Sequence, residues 1–384
     1  RRREADMENR LEKRRPFYIG QLDFPLLFAI ALLCAFGLVM LFSASYYYAQ
    51  NTAATRYDGF FYLKSQAMYL AVGLVAMYVV SRVDYHFFDK IRVFALVGTL
   101  LLMLLVLVPG LGVSRNGAQR WLGIPGTGFT FQPSELAKFA LIVYMAGFMS
   151  RRPQAMKNLT KGVFPMLFIM GAFGLVLLLQ KNMSMMVILL MTGVVMLFLG
   201  GAEIKHLLLL AGIALPILVV AVLMEDYRQS RVLMFMDPWE STEKGAYQLR
   251  QALIALGAGG VFGQGLNFSR QKLLFLPYGE SDFIFAIIGE ELGFIGCTLL
   301  ILTYLFIIYR GIRIAMRCKD RFGSLMAAGI TAVIGMQAAI NIAVATSSIP
   351  PTGQTLPFVS AGGTSLMIFL AAAGILLNIS RNIE

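Results

Sequence analysis

The chain has 384 residues, of which 58% are hydrophobic and only 14% charged, with a mean hydropathy of +0.71. A soluble domain is about one quarter charged, so this composition excludes a water-soluble protein and indicates a multi-span membrane bundle. The formal net charge of +12 would suggest nucleic acid in a soluble chain, but in a membrane chain it is first a matter of topology, and no nucleic-acid partner is expected.

Residues 1–23 form a polar, basic tail without apolar periodicity. Its basic start leads into a full-length apolar run rather than a cleavable signal peptide. Apolar runs follow at 24–44, 62–80, 93–109, 135–149, 163–180, 184–200, 206–224, 283–309, 323–346 and 364–380. Each approaches the length a helix needs to cross ~30 Å of hydrocarbon. The expectation is therefore an all-α polytopic protein, with a ten-helix membrane domain over 24–380 and residues 225–282 as one large loop between helices 7 and 8. Lysine and arginine test that count. With the amino terminus inside, cytoplasmic segments hold 21 of the 33 basic residues, including Arg151, Arg152, Arg310, Arg313, Arg317 and Arg321. The positive-inside rule then places both termini in the cytoplasm and the large loop outside. This pattern needs a real turn at Lys181–Asn182, because without it every later loop would change sides.

The large loop is itself basic, carrying Arg228, Arg231, Lys244, Arg250, Arg270 and Lys272. A loop this long tolerates such charge. The other reading is a surface for an anionic, membrane-bound substrate. Within it, Tyr247 to Leu256 places Leu249, Leu253 and Leu256 on one face of an interfacial or re-entrant helix, followed by glycines at 257, 259, 260, 263 and 265. No strand precedes those glycines, so they are not a dinucleotide fingerprint. The three cysteines imply no disulfide framework, and His86 and His206 are too far apart in sequence to suggest a histidine metal centre.

Ionisable groups in or at the edge of a span are costly and mark candidate sites. Asp282 opens the eighth span at its outer end, with Glu290 and Glu291 about 12–13 Å deeper at 1.5 Å per residue. Glu135 and Lys138 open the fourth span on one helical face, and Arg120 and Trp121 precede it in the outer loop. Structural readings stand beside each. Asp282 suits a helix N-cap, Glu135 and Lys138 a self-neutralising pair, Glu290 and Glu291 packing acids, and Trp121 an interfacial anchor. The last outer loop combines Pro350, Pro351 and Pro357 with Gly362–Gly363. It is either a plain turn or irregular backbone lining a cavity.

These pieces resemble the SEDS family of shape, elongation, division and sporulation proteins, which includes FtsW, RodA and SpoVE. The matching residues are Arg120-Trp121, Gln132-Pro133-Ser134-Glu135 with Lys138, and Phe235-x-Asp237-Pro238. They continue with Tyr247-Gln248 through Ser269-x-Gln271-Lys272, Leu276-Pro277, and Ser281-Asp282-Phe283-Ile284-Phe285-Ala286 with Gly289-Glu290-Glu291-Leu292-Gly293. The last are Pro351-Thr352-Gly353, Leu356-Pro357-Phe358 and Ser360-x-Gly362-Gly363-Thr364-Ser365. The Pro-x-Thr-Gly form is closer to the FtsW and SpoVE branches than to RodA. Where the family commonly has His-Thr before the acid, this chain has Glu280-Ser281. Gln180-Lys181-Asn182-Met183-Ser184 replaces the usual Gln-Pro-Asp-Phe-Gly turn, and Ala361 stands where a tyrosine is common.

The resemblance implies a multi-pass protein of the bacterial cytoplasmic membrane that polymerises lipid II into β-1,4 glycan strands at the outer face, with inversion and release of undecaprenyl diphosphate. It implies Asp282 as the catalytic acid–base residue. It also implies substrate contacts among Arg120, Trp121, Gln132, Ser134, Glu135, Lys138, Gln248, Ser269, Lys272, Glu291, Ser360 and Gly362. Lys138, Arg120 and Lys272 are the candidates for diphosphate contact, with or without a divalent cation (Mg or Mn). The implied partners are lipid II, undecaprenyl-linked glycan, membrane lipids and a class B penicillin-binding protein acting as transpeptidase. A lipid II flippase is the rival reading, since Glu135, Lys138, Glu290 and Glu291 would suit a polar path.

Overall fold

Polar caps set the ends of several apolar helices. Asp23 accepts from the Leu26 amide at 3.0 Å at the start of α1 (Phe24–Gln50). Pro133 opens α4 (Pro133–Arg151), and Asn182 accepts from the Met185 amide at the start of α6 (Met183–Leu199). Asp320 accepts from the Gly323 amide at 2.8 Å at the start of α11 (Arg321–Ala345). Each cap satisfies an amide that the helix itself leaves without a partner. The other helices are α2 (Phe61–Arg82), α3 (His86–Leu105), α5 (Phe164–Leu179), α7 (Ile204–Leu223), α8 (Asp226–Met236), α9 (Lys244–Gly259), α10 (Ile284–Arg317) and α12 (Gly363–Ser380). This computed structural model describes residues 22–115, 118–123, 130–224, 226–239 and 244–383. The expected tail thus lies almost wholly outside the described residues, and the large loop is described in part.

Each of the ten apolar runs falls largely within a helix, and Lys181–Asn182 is a genuine turn with Lys181 at φ 52°. Among the described residues six helical stretches are long and apolar enough to cross a membrane, namely Phe24–Gln50, Phe61–Arg82, Leu159–Leu179, Ile284–Arg317, Arg321–Ala345 and Gly363–Ser380. Large apolar side chains such as Phe94, Phe168, Phe294 and Met316 point outward, 69–80% exposed. Such surfaces suit lipid rather than water. The buried core runs through α1, α4, α6, α10, α11 and α12.

The connections gather at two ends. At one, Arg310 pairs with Asp23 at 2.6 Å, Arg151 with Asp89 at 2.5 Å, and Asn378 accepts from the Tyr85 amide. At the other lie the 51–60, 180–182 and 346–362 connections and the described parts of the α3–α4 connection (106–115, 118–123 and 130–132), together with Asp282. There Arg120 donates to the Lys181 carbonyl, and Ala361 donates to the Glu280 carbonyl. The connection between α3 and α4 holds, among the described residues, a small antiparallel sheet, β1 (Gly112–Arg115), β2 (Ala118–Gly123) and β3 (Thr130–Phe131), in that order. Arg120 and Trp121 sit on its central strand.

The large loop doubles back along α10. Helix α9 packs against α10, with Ala246, Leu249, Ala252, Ala255 and Gly259 buried and Leu253 and Leu256 half-buried. Small residues let the two helices approach closely, and the leucine stripe shares the contact, with Leu249 fully buried and Leu256 beside Gly289 of α10. Opposite the turn that follows, α10 breaks at Gly293, with φ 67° and ψ −165°. The break frees backbone groups that the turn satisfies. Gln264 and Gly265 amides donate to the Glu290 and Glu291 carbonyls at 2.9 and 3.0 Å. The Phe294 and Ile295 amides donate to the Gly260 and Val261 carbonyls at 2.9 and 3.2 Å. A re-entrant segment beside a broken helix is tolerated only with this kind of mutual satisfaction.

Gly293→Ala should disrupt it. The backbone conformation is one that glycine alone adopts readily, costing about 1–3 kcal/mol for another residue. A methyl group there would also stand 2.3 Å from the Gly263 amide nitrogen. A fall in thermal unfolding temperature in detergent is the expected result, and an unchanged temperature would show that the loop docks without this pairing.

Candidate active site

Three polar clusters are built around the predicted residues. The first holds Asp282, half-buried just ahead of α10. The N-cap position of α10 is Phe283, whose side chain makes no capping bond, so Asp282 stands one residue before the cap. Its backbone is fixed from three directions. Ala361 donates its amide to the Glu280 carbonyl at 3.0 Å, Ser360 its hydroxyl to the Ser281 carbonyl at 2.6 Å, and Asn341 its side-chain amide to the Asp282 carbonyl at 2.9 Å. The carboxylate Oδ2 lies beside exposed Gly353, 3.4 Å from where a β-carbon would be. Gly362 donates its amide to Gln66, which also donates to the Ser360 carbonyl.

Glu280, 8% exposed, belongs to the same cluster. Burial pushes its carboxyl up to about 6 from 4.5, and the nearby Asp282 charge adds to the rise against a lowering backbone hydrogen bond. A carboxyl whose folded pKa is raised binds protons more tightly in the native state. Its stabilising contribution is complete below about 4.5 and is lost as pH rises through about 6. Glu280→Gln should therefore gain thermal stability relative to wild type between pH 5 and pH 7, by about 2 kcal/mol at most. Equal unfolding temperatures for the two proteins at both pH values would refute the assignment.

The second cluster joins α4 to α11 and α12. Lys138 is fully buried, 2.8 Å from Glu135 Oε2 and 2.5 Å from Gln337 Oε1, with its ammonium 4.8 Å from the Phe369 ring centroid. Ser365 donates to Glu135 at 3.2 Å, and Gln337 donates to the Thr355 carbonyl at 3.1 Å. Ser134 is buried beside it, with Gln132 donating to its hydroxyl at 3.2 Å. The third cluster pins the re-entrant loop. Lys272 Nζ reaches Glu291 at 2.8 Å, Ser43 at 2.9 Å and Asn267 at 2.6 Å. Ser43 also donates to both Glu291 oxygens at 2.7 and 2.9 Å. Glu290 accepts from the Ser269 hydroxyl and from the Arg270 and Gln271 amides, the latter two at 2.9 and 3.3 Å.

The predicted residues are thus distributed rather than merged. Glu135 and Lys138 meet each other, and Ser269, Lys272 and Glu291 meet around α10. Asp282 meets Ser360 through the Ser281 carbonyl. Gln248 is half-buried on α9, and Arg120 and Trp121 stand on the sheet. Gln337 and Asn341, one turn apart on α11, connect the second cluster to the first. Neither was singled out in the sequence, nor were Ser43, Gln66, Thr355 and Asn267. The available signal was an amide pair at i,i+4 inside an apolar run.

The family described as "Cell cycle protein", comprising FtsW, RodA and SpoVE, matches residues 24–384. The chain belongs to this family. It is 43% identical over 359 residues to a probable peptidoglycan glycosyltransferase FtsW of Geobacter sp. (strain M18), covering 94% of this chain and 96% of that one. It is 40% identical over 359 residues to stage V sporulation protein E of Bacillus subtilis (strain 168), covering 94% and 97%. Among solved structures it resembles a chain described under "Structural coordination of polymerization and crosslinking by a peptidoglycan synthase complex". That match has a TM-score of 0.76 and 27% identity, covering 94% of this chain and 98% of that chain. RodA of Thermus thermophilus matches with a TM-score of 0.67 and 26% identity, over 94% and 97%. This SEDS protein is therefore a multi-pass bacterial membrane protein, and its apolar helices and lipid-suited surface follow from that setting.

Proposed function

We propose that this protein is a peptidoglycan glycosyltransferase that polymerises lipid II at the outer face of the cytoplasmic membrane. FtsW-named relatives carry that activity in their names. The observation that carries the reading at the level of chemistry is Asp282, a carboxylate on a fixed backbone beside an exposed glycine. Ten spans with the Asp282 end outside accord with the two-ended distribution of connections and with the basic residues gathered at the opposite end.

In the reaction, the 4-hydroxyl of the acceptor lipid II attacks the anomeric carbon of the donor. The new C–O bond forms on the face opposite the diphosphate, the bond to diphosphate breaks, and the α linkage becomes β. Asp282 takes the hydroxyl proton, and undecaprenyl diphosphate leaves. A positioned base supplies about 10²–10⁴-fold. Arg120, Lys138 and Lys272 are the cations for the diphosphate, the two lysines meeting it when substrate displaces their carboxylate partners. Trp121, Gln132, Gln248 and Gly362 complete the proposed substrate surface, while Ser134 and Ser269 are buried within the second and third clusters, and apolar grooves between helices take the polyprenyl tails.

Asp282 and Glu280 are the carboxylates at hand for a divalent cation, and no third His, Cys, Asp or Glu joins them among the described residues. One or two carboxylates plus substrate phosphate is the ligand set Mg²⁺ prefers, so the pair fits an ion shared with the diphosphate. Such an ion would neutralise charge on the leaving group. The related synthase complex, which couples polymerization to crosslinking, supports a class B penicillin-binding protein as partner.

A flippase would need polar groups through the whole thickness. Here the buried ionic clusters sit in the Asp282 half, and the continuation of the core is apolar, with Leu300, Ile307, Ile330 and Leu376 all buried. That distribution supports chemistry at one face. Purified protein given lipid II in detergent, where flipping has no meaning, should yield glycan polymer resolved by gel electrophoresis. Failure to polymerise, with facilitated flipping in vesicles, would reverse the choice.

A further inference from the structure

The backbone around Asp282 is held more tightly than its loop setting requires. Loops at the end of a bundle ordinarily leave carbonyls to water. Here the Glu280, Ser281 and Asp282 carbonyls, three in succession, each receive a donor from outside the segment. Two of the donors are side chains with almost no exposed surface. Asn341 is 0% exposed and Ser360 is 3% exposed. Both are tied on their other sides. Asn341 donates a second bond to the Gln354 carbonyl at 2.6 Å, and Ser360 accepts from the Leu356 amide at 2.8 Å.

The supports continue outward into three helices. Tyr304 of α10 donates to the Pro357 carbonyl, Gln66 of α2 donates to the Ser360 carbonyl at 2.9 Å, and Gln337 of α11 holds Thr355. The proline-rich connection is thus staked to the bundle, and it in turn holds the acid. A side chain carried on such a backbone keeps its position without a helix cap.

We propose that Asn341 and Ser360 are positioning residues for Asp282, fixing the main chain on which its carboxylate stands. Neither touches the reacting atoms. The assignment gives Ser360 a different role from substrate binding, because its hydroxyl is already engaged as donor to Ser281 and acceptor from Leu356. It also makes α11 a rigid link. Gln337 bonds Lys138, and one turn later Asn341 bonds the acid, so the second cluster and Asp282 keep a common frame.

The inference rests on the glycosyltransferase reading, and initial polymerisation rates measured against lipid II concentration separate the two. Wild-type turnover tests that reading alone. Given turnover, Asn341→Leu, which keeps the volume and removes both donations, should lower kcat by about 10²-fold, the cost of displacing a reacting group by roughly 1 Å. Ser360→Ala, a smaller change, should lower kcat by about tenfold on the same ground. In both, KM should stay within about twofold of wild type. A raised KM with retained kcat would make these residues substrate contacts and overturn the proposal, as would unchanged kinetics. If Asn341→Leu does not fold, Ser360→Ala decides on its own, since it deletes only one hydroxyl.

Discussion

Asp282→Asn is expected to leave the protein folded and to lower polymer formation from lipid II by about 10²-fold or more. Asparagine has nearly the shape of aspartate, and it leaves in place the bonds that the main-chain carbonyls of residues 280–282 accept. The backbone should therefore stay in place while the proton acceptor disappears. The structure also changes what to expect of Asp282→Ala. Were Asp282 the N-cap, alanine would cost about 0.5–2 kcal/mol. The cap position belongs to Phe283, so the alanine variant should be as inactive as asparagine without that capping cost. Polymer yield on a gel and unfolding temperature in detergent measure the two effects separately. Near-normal polymerisation by the asparagine variant would remove Asp282 from the chemistry.

Much of this was legible in the chain. The apolar runs appear as helices, because a membrane helix is specified by length and composition, two properties that sequence displays directly. The i,i+3 spacing of Glu135 and Lys138 likewise predicts their contact, a local consequence of helix geometry. What escaped was long-range. Gln337 and Asn341 look like incidental amides in an apolar run until α11 is placed beside Lys138 and Asp282, 199 and 59 residues away in sequence. Ser43 meets Glu291 across 248 residues, a pairing that periodicity within either segment does not show. The leucine stripe of α9 appears in the fold as a buried Leu249 and half-buried Leu253 and Leu256, and the close approach at Gly259 is to the main chain of α10. Glu280 was visible only as a departure from the family pattern, and its coupling to Asp282 needed the folded loop.

Lys138→Met should be severely destabilising, by about 3–5 kcal/mol, because it leaves the Glu135 carboxylate buried without its cation. The setting makes the loss large. Lys138 has no exposed surface, Glu135 is 4% exposed, and among the described residues the other polar partner of that carboxylate is Ser365 at 3.2 Å. Combining Lys138→Met with Glu135→Gln removes both charges and should recover most of the stability, since a buried ion pair replaced by neutral groups of similar volume is often no worse folded. The double variant then isolates function. A pair whose neutral substitute folds equally well is retained for something charge alone supplies, and in this chain that is the proposed contact with the diphosphate. Polymerisation by the double variant should remain at least about 10²-fold below wild type, the usual cost of losing one donor to a developing anion. Unfolding temperature and polymerisation rate on the same preparations give the answer. A double variant that is both stable and active would make Glu135 and Lys138 a structural pair and leave the diphosphate to Arg120 and Lys272.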